Sequence, residues 1–298
     1  MRAAAIDIGT NTVLLLVADV VDGVVTPLHQ DQRIPRLGKG VDASGNLSMD
    51  RMMAVIECLV DYRDAIYERF GVLPVVVTAT SAVRDAANRI EFLWMVEEAT
   101  GYRIRILRGE EEADTTFRGA LSMSPEARHG HIGVIDIGGG STELIFATDG
   151  VVTKKHSFDV GSVRQSERSG WMPPVDMDVV RRNTDELMAL FRENGFGDAS
   201  RRAVGVAGTA GVVRSVSADL SLSALERLQR EWSVCAPGEL LRRHPDILSG
   251  REDVIFAGLG ILIAAMRVIG ADRLEVSDGG IRHGMLLWLA EQEGNSGS

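Results

Sequence analysis

The chain has 298 residues, 45% hydrophobic and 25% charged, which suits a globular protein of about two domains and excludes wholesale disorder. Its 32 basic and 42 acidic residues leave a net charge of −10, which argues against a general nucleic-acid binder. An anionic substrate is not excluded, because a few arginines in one cleft can override the net charge locally. Two cysteines, Cys58 and Cys235, are too few for a disulfide framework or a four-cysteine zinc site and read as reduced thiols. Met1-Arg2-Ala3 leads almost at once to Asp7, leaving no room for a signal peptide, and the longest apolar run, Val254 to Met266, is too short for a bilayer. A soluble, cytoplasmic protein is expected.

In chain order, the apolar run Ala3 to Ile6 ends in Asp7-Ile8-Gly9-Thr10-Asn11-Thr12. Val13 to Val21 follows, then Asp22-Gly23 and Val24-Val25, which reads as three strands joined by a Gly-containing turn and an Asp-Gly hairpin turn. Ser48 is placed to cap a helix with Met52, Ile56, Leu59, Ile66 and Phe70 on one stripe and Gly71 as its stop. Val75 to Val77 is a buried strand, and Asn88-Arg89-Ile90-Glu91 resembles a capping box opening a helix that ends at Gly101. Tyr102 to Leu107 alternates as a strand and Glu110 to Ser122 reads as a helix. A Pro- and Gly-containing seam is expected around Ser124-Pro125-Glu126.

Ile132 to Ile135 then runs into Asp136-Ile137-Gly138-Gly139-Gly140-Ser141-Thr142, followed by Leu144 to Ala147, Asp149-Gly150 and Val151-Val152. The opening grammar is repeated, Asp7 matching Asp136, which points to an internal duplication. Helices are expected over Val179 to Asn194 and Leu222 to Arg230, and a strand over Arg202 to Val206. A buried helix over Val254 to Ile269, a strand over Arg273 to Val276, a last helix over Ile281 to Gln292 and a frayed tail, Glu293 to Ser298, complete an α/β pattern.

A strand that turns through Gly into a second strand can surround an anion with backbone N–H groups and small hydroxyls. Gly9, Thr10, Asn11 and Thr12 form one such loop; Gly138, Gly139, Gly140, Ser141 and Thr142 form a more specific one. Together they suit a clamp for a chain of phosphates. Val206 to Gly211, with Gly208 and Thr209, offers a helix N-terminus as a third.

The duplication supplies an internal control. Counted from the matched aspartates, Leu14 of the first copy corresponds to Glu143 of the second, so architecture alone does not require an acid there. Glu143 is a candidate to bind a metal or orient a water, with a solvated strand carboxylate as the plainer reading. Glu110-Glu111-Glu112 suits the positive end of a helix, which leaves open which of the three does chemistry. Arg84 suits either a phosphate or a neighbouring acid such as Asp85.

Taken in order, these segments resemble the exopolyphosphatase/guanosine pentaphosphate phosphohydrolase (Ppx/GppA) family of the actin–hexokinase–heat-shock chaperone ATPase superfamily. The resemblance rests on Asp7 to Thr12, Arg36 to Gly40, Thr78 to Ala86, Gly109 to Ala113, Asp136 to Glu143, Gly205 to Gly211 and Val276 to Gly284. It implies two duplicated actin-like (ribonuclease H-like) domains, 1–124 and 125–298, with the active site in the cleft between them and helix 281–293 free to pack back on the first. It implies hydrolysis of a terminal phosphoanhydride assisted by a divalent metal, normally magnesium. Glu112 would be the general base, Asp136 and Glu143 would hold metal and water with Asp7 in support, and Arg84 and the Gly-rich loops would hold phosphates.

Asp114 departs from the Arg that relatives often carry after Glu-Glu-Ala, a lost positive charge at that wall. The expected substrate is inorganic polyphosphate, with pppGpp as the alternative. A nucleic-acid polymer or membrane partner is not expected, and a homodimer is allowed. The competing readings are a sugar kinase of the same superfamily and a catalytically silent actin-like scaffold.

Overall fold

The structure is a computed structural model that describes residues 1–124, 128–197 and 202–296. The chain forms two compact units, Met1–Met123 with Gly279–Ser298, and Ser124–Asp278. Of the expected seam, Pro125 and Glu126 lie outside the described residues, as do Gly297 and Ser298 of the tail.

The first unit begins with β1 (Arg2–Ile8), β2 (Val13–Val21) and β3 (Val24–Arg33), and continues through helices α1 (Val41–Ser44) and α2 (Met49–Phe70). Then come β4 (Val75–Ala79), α3 (Ser81–Asp85), α4 (Arg89–Thr100), β5 (Ile104–Ile106) and α5 (Gly109–Met123). The second contains β6 (His131–Ile137), β7 (Thr142–Thr148), β8 (Val151–Phe158), α6 (Ser162–Arg168), α7 (Met177–Glu193), β9 (Arg202–Val206) and α8 (Ala207–Val216). It ends with α9 (Leu222–Ser233), α10 (Pro237–Arg243), α11 (Pro245–Leu248), α12 (Ile255–Ile269) and β10 (Leu274–Val276). The chain then returns to the first unit as α13 (Ile281–Ser296).

The duplication is visible in the sheets. One is ordered β3-β2-β1-β4-β5 and the other β8-β7-β6-β9-β10, each with an antiparallel meander followed by parallel strands. A register shift falls between Val17 and Ala18 in β2 and between Phe146 and Ala147 in β7, the same distance from the matched aspartates. The hairpin turns repeat too: Asp22 and Asp149 take φ of 50° and 49°, followed by Gly23 and Gly150 at 76° and 78°. A two-residue hairpin turn of this kind has positive φ at both central residues, which matches the strand twist and favours Asp-Gly.

In the first unit α2 buries Met52, Ile56, Leu59 and Ile66 against β1, β2 and β4, while Phe70 is only partly buried. On the opposite face of the sheet, α13 packs Met285 and Leu286 against Ala3, Ala5, Leu16 and Val76. This helix lies unusually close to α5, because a Cβ on Gly119 would collide with the Gly280 carbonyl and one on Gly284 with the Thr115 carbonyl. In the second unit α12 is buried along its length except at Arg267, as its nearly continuous apolar sequence requires.

Four local expectations are corrected. Ser48 and Asn88 stand at helix N-caps without capping through their side chains. Asn88 is instead occupied at long range, its Oδ1 accepting from the Leu47 N–H and its Nδ2 donating to the Leu47 carbonyl. Helix α13 continues past Glu293 to Ser296, and β10 starts at Leu274 rather than Arg273, which makes a lone bridge to Ser221.

Candidate active site

In an open α/β sheet, loops leaving the C-terminal ends of parallel strands gather at one edge, where ligands bind. In the first unit Asp7 lies beside Thr78 and Ile8 beside Ala79, so the Gly9–Thr12 loop and the start of α3 emerge together. The Thr78 hydroxyl donates to Asp7 Oδ1 at 3.1 Å, and the Thr10 and Ser81 hydroxyls are 2.9 Å apart. Strand β5 extends the row: the Leu107 N–H donates to the Ala79 carbonyl just before α5 begins.

The first turn of α5 separates the three glutamates. Glu110 is exposed. Glu111 accepts from the Arg108 backbone N–H at 3.0 Å and from its guanidinium at 3.1 Å, and these bonds hold its carboxyl below the usual carboxylate range. Glu111 therefore caps the helix. Glu112 is buried and accepts from Arg84 Nη1 at 3.2 Å. The same nitrogen donates to the Leu107 carbonyl at 3.0 Å, so Arg84, for which phosphate and acid were both open, is engaged by an acid. That acid is chiefly Glu112, since Asp85 is farther away at 3.7 Å. Asp114 points outward.

Arg282 of α13, absent from the expected site residues, reaches the same sheet. It donates to the Leu15 carbonyl at 2.8 Å, and burial lowers its pKa against the opposing pull of nearby Asp7.

In the second unit Asp136 stands directly opposite Glu143 on the antiparallel pair β6–β7, whereas Asp7 stands opposite Leu14. Both second-unit acids are buried, and the Ser157 hydroxyl donates to Glu143 Oε1 at 2.6 Å. Like charges in directly paired positions repel. A divalent cation would relieve this, so the two carboxylates fit a hard, oxygen-liganded metal. Among the described residues no three His, Cys, Asp or Glu gather into a metal-holding group.

The Gly138–Ser141 loop has its carbonyls tied back. Gly138 O accepts from the Ser162 N–H, Gly139 O from the Val163 and Arg164 N–H groups, and Gly140 O from Arg164 Nε at 2.9 Å. Ser141 O accepts from the Gly138 N–H. The N–H groups of Gly139, Gly140 and Ser141 have no protein acceptor among the described residues. Three adjacent free amides form a concavity suited to an anion. Thr142 lies outside this donor set, its hydroxyl donating to the Val160 carbonyl at 2.5 Å.

Parallel pairing of Asp136 with Val206 brings the third loop to the same edge. A Cβ on Gly258 would meet Thr209 and Ser162, so α12 is cut back where the two loops converge. Arg251, another residue missed from sequence, lies over this loop with Nη1 3.5 Å from the Gly208 carbonyl. Arg164 and Arg251 each reach a backbone carbonyl, and such contacts leave no trace in residue spacing.

Two repeats of one sheet, each ending in a strand–Gly–strand loop beside a buried Asp, define a phosphate-handling protein of the actin-like type. A model of the Ppx/GppA phosphatase family matches residues 16–218. Exopolyphosphatase 2 of Mycobacterium tuberculosis is 31% identical over 326 aligned positions, covering 97% of this chain and 98% of the relative. The crystal structure of the Aquifex aeolicus Ppx/GppA family member superposes with a TM-score of 0.81 at 28% identity, covering 98% of each chain. An exopolyphosphatase structure from Cytophaga hutchinsonii shares the fold at a TM-score of 0.83 and 23% identity, again covering 98% of each chain. The chain belongs to the Ppx/GppA phosphatase family of metal-dependent phosphoanhydride hydrolases. No helix among the described residues is long and apolar enough to cross a membrane.

Proposed function

We propose that this chain is an exopolyphosphatase that hydrolyses the terminal phosphoanhydride of inorganic polyphosphate and releases orthophosphate. The observation that carries this reading is the Asp136–Glu143 pair beside a loop of free amides, where the first copy keeps Leu14 opposite Asp7. Neither a scaffold nor the fold itself needs the second carboxylate.

In this mechanism Glu112 accepts a proton from the water that attacks the terminal phosphorus in line, and Arg84 holds the carboxylate in place. The Gly139, Gly140 and Ser141 amides hold the phosphoryl oxygens. Gly9, Thr10, Asn11 and Thr12, with Gly208 and Thr209, hold the rest of the phosphate chain. Asp136 and Glu143, with Asp7 in support, would hold magnesium, which supplies neutralisation of charge on the phosphoryl oxygens. Most of the rate enhancement in phosphoryl transfer is such positioning and electrostatics.

Polyphosphate is preferred to pppGpp because none of the phosphate-loop segments carries a Phe, Tyr or Trp to stack on guanine. A cytoplasmic location suits the two cysteines, both of them free and buried. Initial rates on long polyphosphate, tripolyphosphate and pppGpp, at matched terminal-phosphate concentration and without an acceptor, test the proposal. Release from polyphosphate supports it. A clearly higher kcat/KM for pppGpp reverses the substrate, and no release without an acceptor rules out hydrolysis.

A further inference from the structure

The three carbonyls that precede the free amides are each tied down. Gly139 O is held by the backbone N–H groups of Val163 and Arg164, which any residue but proline would supply, and Gly138 O by the Ser162 N–H together with its hydroxyl at 3.3 Å. Gly140 O is held by a side chain, Arg164 Nε at 2.9 Å. The first unit contains the corresponding loop, where backbone N–H groups reach the equivalent carbonyls. There the Gly38 N–H donates to Thr10 O and the Arg36 N–H to Asn11 O, with Arg36 in a left-handed conformation at φ 58°.

A trans peptide is planar, with its C=O and N–H pointing in opposite directions. Fixing Gly140 O therefore fixes the direction of the Ser141 N–H, one of the three amides turned toward the anion position. We infer that Arg164 is a positioning residue for phosphoryl transfer, locking the Gly140–Ser141 peptide so that the Ser141 N–H is presented to a phosphoryl oxygen. As a role in turnover this rests on the hydrolase reading above; as control of an anion-binding amide it does not.

An amide aimed in advance at developing charge stabilises the transition state, and losing one such donor typically costs ~10²–10³-fold in kcat. In Arg164→Ala the peptide is freed rather than removed, so kcat on tripolyphosphate is expected to fall by about tenfold to a hundredfold, with KM changed by less than about threefold. Arg164→Lys, which can still donate to Gly140 O, should recover part of the loss. A KM that rises tenfold at unchanged kcat would make Arg164 a direct substrate ligand, and unchanged kinetics would overturn the inference.

A second measurement is independent of turnover. In ¹⁵N–¹H spectra of the full chain titrated with pyrophosphate, the Gly139, Gly140 and Ser141 amides should all shift. In Arg164→Ala the Ser141 response should be lost while the Gly139 response persists. An equal Ser141 response in both proteins overturns the inference even if the natural substrate is something other than polyphosphate. Loss of all three responses would mean that the loop itself has collapsed, which also overturns a role confined to one peptide.

Discussion

Arg84 joins Glu112 to the end of β5: one nitrogen, Nη1, reaches the Glu112 carboxylate at 3.2 Å and the Leu107 carbonyl at 3.0 Å. The buried acid at the start of α5 is thus tied to the sheet by a guanidinium. Glu112→Gln keeps the shape and removes the base, so kcat should fall ~10²–10⁴-fold, as for loss of a general base. Tripolyphosphate binding, measured by calorimetry, should persist. Arg84→Ala should lower kcat through a misplaced Glu112. Near-normal turnover in Glu112→Gln would show that the wrong carboxylate has been assigned.

Glu111 should behave in the opposite way. Its substitution by Ala removes a helix cap and should cost ~1 kcal/mol of stability in urea unfolding, with kcat little changed. The folded carboxyl is held below its unfolded value by the Arg108 N–H, so its stabilising contribution is present at neutral pH and is lost as pH falls through the lowered folded pKa. Glu111→Gln should therefore flatten the acid side of the stability–pH curve. A curve parallel to that of the wild type would remove this role.

Glu143→Leu copies the first repeat. Hydrolysis should be abolished, as it should be by chelation of the wild type, where added magnesium restores it. The stability readout is more specific: magnesium should raise the Tm of the wild type, because a ligand bound only by the folded state stabilises it. The variant should not respond. An equal magnesium response in both proteins would take Glu143 out of the metal site.

Gly161→Ala tests the support behind the amide loop. The new Cβ would collide with the Gly139 carbonyl group and the Gly140 nitrogen, both backbone atoms, so the loop itself must move. A stability loss of ~1–3 kcal/mol is expected from overpacking, together with a large fall in kcat. Gly170→Ala, at φ 62° with open space around it, should be strained without touching the loop and should keep its activity.

Gly119→Ala tests how α13 is held. Its Cβ would meet the Gly280 backbone, which cannot swing aside as a flexible side chain could. The first unit should unfold at lower denaturant than wild type. Since α5 also carries Glu112, activity should fall in parallel. Unchanged stability would mean that the two helices can separate at little cost.

Sequence alone determined the duplicated α/β pattern, both Asp–Gly loops and the contrast of Leu14 with Glu143. These properties are local: strand alternation, a turn that requires Gly, and a spacing counted along one chain. It also placed Glu112 at a helix start, but could not separate it from Glu110 and Glu111, because all three satisfy the same helix dipole. Glu111 turns locally to the Arg108 N–H three residues back, but only tertiary structure brought Glu112 to Arg84, which lies 28 residues earlier in the chain. The same holds for Asn88, whose side chain serves Leu47 rather than its own helix, and for Arg164, whose partner is a glycine carbonyl 24 residues before it. A hydrogen bond to a distant backbone group depends on where the fold brings that backbone, and backbone carbonyls are alike in every residue.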